Sequence, residues 1–315
     1  DEKFLDQSEG DARFLNGGEK AVDADAVDGI DSSDLAQKLD NVVTVSSSGG
    51  DFTSIQAAVD SVTDASGSNP YLVLVGPGTY TGQVTLTSGV SLQGSGRLAT
   101  VVTAPGAQDC SSAYTIKSGT LSTVSDLFVV NSGGAECAIG ILNSSAASSF
   151  RDLTINVDGG TTTMVGLRHT FGSTIALEDM LISVGGTANG MAMGIEQIGA
   201  SVLLMNLDIR AFSSQNKAIG VRNEGSSLVA RDSVIRGISS PSDTIGILNE
   251  NASSDQVLVH HSVVFGVTDT ISNGPSYVTR VASSQLDGGD PTNSGTLVCA
   301  GVYDENFTFS ASTCP

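Results

Sequence analysis

A short phrase of an apolar residue, a glycine and a second apolar residue recurs through the middle of the chain at a nearly constant interval. Its glycines are 26, 28, 26 and 26 residues apart, at Gly140, Gly166, Gly194, Gly220 and Gly246. Each intervening unit reads as two or three short strands separated by Gly, Ser and Asn turns. Because one such unit cannot bury its own apolar side, the units must stack on one another.

This interval predicts an all-β fold, a right-handed parallel β-helix in which residues one period apart lie about 4.8 Å apart in neighbouring coils. Two inward aliphatic columns are expected, namely Ile155, Ile182, Ile209, Ile235, Val264 and Phe150, Leu177, Leu204, Ala230, Val259. A third column follows the glycine phrase and can form a ladder of polar side chains, through Asn143, His169, Gln197, Asn223 and Asn249.

Three segments are predicted along the chain. Residues 1–41 form an acidic N-terminal linker or assembly segment, with twelve acidic against four basic side chains. Residues 42–290 form the solenoid, and residues 291–315 form a C-terminal cap. A solenoid needs such ends because its terminal coils expose unpaired strand edges. At the N-terminal end, residues 51–62 predict an amphipathic capping helix with a capping box between Thr53 and Gln56.

Charge and hydropathy exclude several classes of protein. With 34 acidic and 14 basic residues the formal net charge is −20, which lacks the basic footprint of a nucleic-acid binder. No apolar run approaches the roughly 18 residues of a membrane span. The sequence opens on Asp1 without a signal peptide, so a mature or trimmed chain is expected.

The four cysteines predict two disulfide bonds, Cys110 with Cys137 about one coil away, and Cys299 with Cys314 in the cap. None of the cysteines lies in a CxxC pair or near a histidine, so a zinc site is not expected. Disulfides in a Gly- and Ser-rich chain favour an exported protein, extracellular or at the cell surface.

The opening of the solenoid resembles the pectin-lyase-like superfamily, and pectinesterases in particular. The shared motifs are a GDF-x-x-IQ-x-AVD helix at 50–60, a PGTY turn at 77–80 and a GV-x-L-x-G-x-G strand at 89–96. The resemblance implies the same right-handed parallel β-helix. The catalytic motifs of pectinesterases, pectate lyases and polygalacturonases do not occur in this sequence, so the resemblance specifies architecture and leaves the activity open.

The N-terminal segment around 24–33 resembles a segment that precedes modules of phage tail fibres and bacterial surface proteins. Its aspartates are also similar to a calcium loop of the D-x-D-x-D-G kind, displaced by one residue, through Asp23, Asp25, Asp28 and Asp31. Two interpretations stay open, a calcium site and an acidic linker. No other cofactor is expected.

Candidate catalytic groups fall in outward columns. Arg168, Glu196 and Arg222 share one column, and Arg151 and Glu178 share another beside Asp179. One interpretation is a polar groove in which Glu178, Asp179 or Glu196 acts as general acid or base, with Arg168 nearby. The other is a ladder of ion pairs that keeps the coils in register. The column of Asp126, Asp152, Asp179 and Asp232 is interpreted as turn-capping carboxylates.

A further outward column is more apolar than solvation requires and predicts a subunit interface or a covered surface, through Phe128, Leu181, Val234 and Val263. Two functions follow. The first is a non-catalytic module of a surface, fibre or appendage protein, acting in assembly, adhesion or glycan contact. The alternative is a polysaccharide-active enzyme, a lyase, esterase or glycoside hydrolase. The absence of tryptophan favours the first, because sugar-processing grooves use aromatic platforms.

Overall fold

The computed structural model describes residues 41–170, 172, 174–186, 190–239, 243–251 and 255–315, and the backbone of two short strands before them. The chain divides into two compact units, Asp1–Val42 and Val43–Pro315. In the first unit, β1 (Ala26–Val27) pairs antiparallel with β2 (Ile30–Asp31). The second unit contains the solenoid.

The remaining elements follow one another along the chain. The first group is β3 (Val42–Val45), α1 (Ile55–Ser61), β4 (Tyr71–Val75), β5 (Gly78–Thr81), β6 (Val84–Thr85), β7 (Val90–Gln93), β8 (Thr100–Ala104), β9 (Tyr114–Lys117), β10 (Thr123–Asn131), β11 (Cys137–Asn143), β12 (Ser149–Asp158) and β13 (Thr163–Thr170). The second group is β14 (Ile175–Glu178), β15 (Leu181–Gly186), β16 (Met191–Ile198), β17 (Val202–Met205), β18 (Asp208–Ser213), β19 (Ala218–Glu224), β20 (Leu228–Arg231), β21 (Val234–Ser239) and β22 (Thr244–Glu250). The third group is β23 (Gln256–His260), β24 (Val263–Gly266), β25 (Asp269–Asn273), β26 (Val278–Ala282), β27 (Gln285–Gly288), β28 (Thr292–Asn293), β29 (Thr296–Ala300), β30 (Val302–Tyr303) and β31 (Phe309–Ser310).

The coils build three parallel sheets. Sheet 1 contains the strands of the glycine phrase and, over the described residues, has nine of them, in the order β28, β25, β22, β19, β16, β13, β11, β9, β6. In a typical coil the next strand, such as β17, joins sheet 2, and the one after it, such as β18, joins sheet 3. The long strands β10 and β12 each run through both sheets. This architecture confirms the predicted right-handed parallel β-helix.

The predicted columns are in register. Ile155, Ile182 and Ile209 pair coil by coil and are fully buried. In the second inward column, Phe150 and Leu177 also pair between neighbouring coils and are fully buried. Each column presents one aliphatic side chain per coil to the interior, so the core extends along the axis without requiring large aromatic residues.

The corner between sheets 2 and 3 explains the aspartate column. Asp126, Asp152, Asp179 and Asp232 all have φ between 51° and 59°, in the left-handed region that Asp and Asn tolerate better than most residues. Asn206, at φ 55°, takes the same place in the intervening coil. The column is therefore set by backbone conformation, which matches its interpretation as a turn feature.

The recurring glycines lie where the neighbouring coil and the core leave no room for a side chain. A Cβ at Gly220 would lie 2.6 Å from the carbonyl oxygen of Gly246 and 2.6 Å from Cγ2 of Ile235. Any side chain there would force the coils apart, so the phrase needs glycine for space. This contact fixes how sheet 1 packs on the inward column of sheet 3.

The polar ladder forms in two stretches. Asn143 lies 3.1 Å from Nδ1 of His169, and on the far side Asn223 donates to Asn249 at 3.1 Å. Between them, Gln197 donates instead to the backbone oxygens of Ala200 and Ser227. Asn223 makes the equivalent bond to its own turn, at the backbone oxygen of Ser226, in addition to its bond with Asn249. All five side chains are buried.

Both ends of the solenoid are closed as predicted, with one correction in detail. Helix α1 begins one residue later than the predicted capping box, because Ser54 rather than Thr53 is the N-cap and accepts from the backbone of Ala57. Gln56 pairs with the backbone of Thr85 and with Asp60 rather than folding back on the cap.

Both predicted disulfide bonds are present. The Cα atoms are 5.1 Å apart in Cys110–Cys137 and in Cys299–Cys314. The first bond joins the loop before β9 to β11, and the second closes the C-terminal cap.

Candidate functional site

The outer face of sheet 1 carries a network of ion pairs at its centre. Glu196 accepts from Arg168 on one side and from Nη1 of Arg222 at 2.7 Å on the other. Its side chain is only 5% exposed, whereas the two arginine side chains are 17% and 21% exposed. Both carboxylate oxygens are therefore engaged by guanidinium groups that one coil spacing brings above and below them.

Arg222 extends this network into the next coil. Its Nη2 lies 2.7 Å from Glu224, and its Nε donates to Glu250 at 2.7 Å. Burial lowers the pKa of the Arg222 guanidinium, but the hydrogen bond and charge of Glu250, with the charges of Glu196 and Glu224, leave that pKa above its ordinary value. Arg222 is therefore a permanent cation that cannot abstract a proton, and it orients three carboxylates.

The network ends at an open pocket, here called the sheet 1 pocket. This cavity of about 450 Å³ is lined by Leu248, Asn249, Glu250, Ser272, Asn273, Gly274, Thr292, Asn293 and Ser294. Glu250 is 35% exposed there, and only its Oε1 is held by Arg222. Thr292 donates to Ser272 at 3.1 Å across the floor. The pocket thus combines an oriented carboxylate with hydroxyl and amide groups.

A second carboxyl group, Asp269, lies in the neighbouring strand β25, in register with Ile245 and so at the opposite end of β22 from Glu250. Burial raises the pKa of this carboxyl group above its ordinary value, and the charge of Asp243 raises that pKa further. Asp269 is not among the residues that line the sheet 1 pocket, so the polar groups beside Glu250 there are hydroxyls and amides.

The four candidate catalytic residues do not form one site. Arg168 and Glu196 lie together on sheet 1, as the ladder interpretation predicts. Glu178 ends β14 on sheet 2, where it is exposed, and Asp179 follows it at the corner. Asp179 accepts from the side chain of Asn206, and its carbonyl oxygen accepts from Arg97 at 3.0 Å.

The predicted ladder of Arg151 and Glu178 is present only as backbone register between neighbouring coils. The two residues pair coil to coil, but Arg151 makes its contact with Asp152, at 3.9 Å. Both partners of that contact are substantially exposed. Exposed pairs of this kind contribute little to stability.

The predicted interface residues do share one outward column on sheet 3. Phe128, Leu181, Val234 and Val263 are each half-buried and stand in coil-to-coil register with two polar positions, Thr154 and Asp208. Asp208 pairs with Arg210 and, at 2.9 Å, with Arg236. A charged cluster therefore interrupts the apolar stripe, and its role as an interface stays a prediction.

The predicted calcium ligands Asp23, Asp25, Asp28 and Asp31 have side chains outside the described residues. Among the residues that are described, no three His, Cys, Asp or Glu side chains cluster as metal ligands would. In the same part of the chain, no helix is long and apolar enough to cross a membrane.

The chain folds as a right-handed parallel β-helix, and solved structures of pectin methylesterases share this fold. Two pectin methylesterase structures in complex with hexasaccharides, one of them of a mutant, match with TM-scores of 0.55 and 0.56 at 15% identity, covering 85% of this chain and 90% of theirs. Pectin methylesterase PemA from Erwinia chrysanthemi matches with a TM-score of 0.52 at 17% identity, over 87% of this chain and 85% of that one. No protein-family model and no curated protein sequence matches. The tail-fibre resemblance of the N-terminal segment finds no support in these matches.

Sequence analysis did not identify Glu224, Glu250 or Asp269. A signal was available for the first two, because Asn223-Glu224 and Asn249-Glu250 repeat 26 residues apart at the end of the glycine-phrase strands. No comparable pattern marks Asp269, which takes the place that Ile245 holds one coil earlier.

Proposed function

We propose that the protein is a polysaccharide-active enzyme of the pectin-lyase-like fold, and that its substrate lies across the outer face of sheet 1 at the sheet 1 pocket. The observation that carries this proposal is the position of Glu250, a carboxylate oriented by Arg222 and open to a polar cavity of about 450 Å³. Proteins of the same fold are crystallised with hexasaccharides, which supports an oligosaccharide as the ligand class.

The residues of the pocket favour hydrolysis of an ester or a glycosidic bond. Arg222 orients the Glu250 carboxylate through its Nε at 2.7 Å and leaves Oε2 without an arginine contact among the described residues, which suits a base or nucleophile. Asp269 lies outside the pocket lining, in register with Ile245 at the opposite end of β22 from Glu250, so it is not assigned as the proton donor. Lyase chemistry is disfavoured at this site, because its cation, Arg222, is held protonated by three carboxylates.

The proposal takes up the alternative predicted from the sequence and differs from the first prediction, a non-catalytic module in which the ion-pair network only holds the coils in register. Oligomer or fibre assembly has no support in the structure of a single chain. The two disulfide bonds favour an oxidising location, and we place the protein outside the cell on that ground.

A panel of polysaccharides tests the proposal. Release of methanol or acetate, of reducing ends and of unsaturated uronides is measured for the wild type, Glu250→Gln, Asp269→Asn and the matched control Glu178→Gln on sheet 2. Turnover should fall about 100-fold or more in Glu250→Gln and stay within about twofold of wild type in Glu178→Gln.

The pH profile adds a second readout. Because Asp269 lies outside the pocket, Asp269→Asn should leave the pH profile of turnover unchanged, whereas Glu250→Gln should abolish turnover across the profile. Absence of turnover on every polysaccharide, or loss of turnover in Glu178→Gln with Glu250→Gln unaffected, would overturn the proposal.

A further inference from the structure

The C-terminal hairpin exposes an unusual share of the chain's aromatic surface. Strands β30 and β31 pair antiparallel with Tyr303 opposite Phe309, and the two ring centroids are 5.3 Å apart. Tyr303 is 41% exposed, Phe309 57% and Phe307, at the tip, 72%. Aromatic residues are only 5% of the sequence, and leaving such rings in water forgoes the free energy of their burial. A concentrated patch of this kind marks a binding surface.

The tip of the hairpin is held in a fixed conformation. The carboxylate of Asp304 accepts from the backbone N–H of Thr308 at 2.7 Å and of Asn306 at 2.9 Å. Phe307 has φ 60°, in the left-handed region that a bulky residue adopts only when its surroundings impose it. The loop therefore presents the Phe307 ring at the surface, without the need to order it on binding.

A pocket of about 360 Å³ lies beneath this ring, at the corner of sheets 2 and 3. Tyr303, Phe307 and Val263 form its apolar walls. His261, Ser262, Ser283, Ser284 and Gln285 supply its polar atoms. Aromatic faces beside a few hydrogen-bonding groups suit a ligand with one apolar and one hydroxylated side.

The geometry points to a glycan subsite at the C-terminal hairpin that binds a neutral pyranose ring, with its C–H face on Phe307 and Tyr303 and its hydroxyl groups toward His261, Ser283 and Gln285. No lysine or arginine is among the described residues that line this pocket. Asp232 lies 3.7 Å from His261, and Asp304 and Glu305 belong to the loop itself. This local charge disfavours a uronate or a sulfated sugar.

The inference rests on the proposed function only in its choice of a sugar as the ligand. None of its residues belongs to the sheet 1 pocket, so it adds a second point of contact for a polysaccharide. The two proposals fail separately, since Glu250→Gln alters turnover and Phe307→Ser alters binding at the cap.

Calorimetric titration with cellohexaose and xylohexaose as neutral probes, and hexagalacturonate as the acidic probe, tests the subsite in a Glu250→Gln background that blocks turnover. At least one neutral probe should bind saturably, and Phe307→Ser and Gln285→Ala should each weaken that binding about five- to tenfold. Phe212→Ser is the matched control, because Phe212 is 45% exposed on sheet 3, away from the hairpin.

Unchanged affinity in Phe307→Ser, binding of hexagalacturonate alone, or no binding of either neutral probe would overturn the inference. Light scattering supplies the remaining outcome. Self-association that Phe307→Ser abolishes would show that the patch contacts a second copy of the chain, which also contradicts a glycan subsite.

Discussion

Glu196 shows how a single residue can hold three coils together. It is the most buried member of the ion-pair network, and its neighbours in register, Arg168 and Arg222, both donate to it. A carboxylate removed from water in this way is stabilised only while both guanidinium groups are present, and they in turn depend on it. We therefore assign Glu196 to register and support, and the chemistry to Glu250.

The substitution Glu196→Gln tests this assignment. It keeps the shape of the side chain but leaves two partly buried cations without their shared counter-charge, so the free energy of unfolding should fall by about 1–3 kcal/mol. Urea denaturation measures the change. Asp243→Asn is the control, because the pair of Asp243 with Lys217 is exposed at 3.5 Å and its loss should cost no more than about 0.5 kcal/mol. Equal effects in the two variants would contradict the assignment.

For single residues, the sequence predicts where a side chain lies in its coil better than it predicts which group the side chain bonds to. Period alone places Gln197 in the polar ladder, and the structure confirms its register with His169 and Asn223. Its amide nitrogen donates to backbone oxygens at the turns, whereas Asn223 bonds both to its turn and to Asn249. Register alone does not predict the pairing of Arg222 with Glu250 either, since Nε reaches across a coil to a residue two positions further along its strand.

At the scale of elements, the glycine phrase determines how closely the strands of sheet 1 approach. Gly220 sits against the backbone of Gly246 and the side chain of Ile235, so the glycine that marks the repeat in the sequence also lies where no side chain fits. Repetition made these strands predictable, because the same requirement recurs in every coil. The hairpin of β30 and β31 occurs only once, so no repeat in the sequence predicts it.

Gly220→Ala is expected to lower the free energy of unfolding by about 1–3 kcal/mol, because the new methyl group must displace backbone. Gly76→Ala is the matched control, since a Cβ there meets nothing nearer than 3.4 Å, at the carbonyl oxygen of Val45. Thermal unfolding of the two variants and the wild type checks this. A control that loses as much stability as Gly220→Ala would show that flexibility rather than space explains the glycine.

At the scale of the whole molecule, the fold could be predicted from the sequence and the site could not. Columns one coil apart specify a parallel β-helix whatever its surface carries, and folds of this kind support unrelated activities. The missing tryptophan counted against contact with sugars, yet the chain concentrates three exposed aromatic rings on its final hairpin. Low aromatic content therefore says less about binding than the place where the few rings lie.

The structure also shows how some of the chain's acidic side chains are arranged. The sequence carries a net charge of −20, and on the outer face of sheet 1 the carboxylates are organised around Arg222 rather than dispersed. Under the proposed function, a polysaccharide that crosses this face would meet a fixed arrangement of charge and hydroxyl groups, which is what a processing site requires.

A crystal structure of Glu250→Gln with an oligosaccharide selected from the turnover panel would show where the substrate binds. We expect sugar density across the outer face of sheet 1, with a glycosidic or ester oxygen in hydrogen-bond reach of residue 250 and of Thr292. Density confined to another face, beside Glu178 or along the column of Phe128 and Leu181, with the sheet 1 pocket empty, would contradict it.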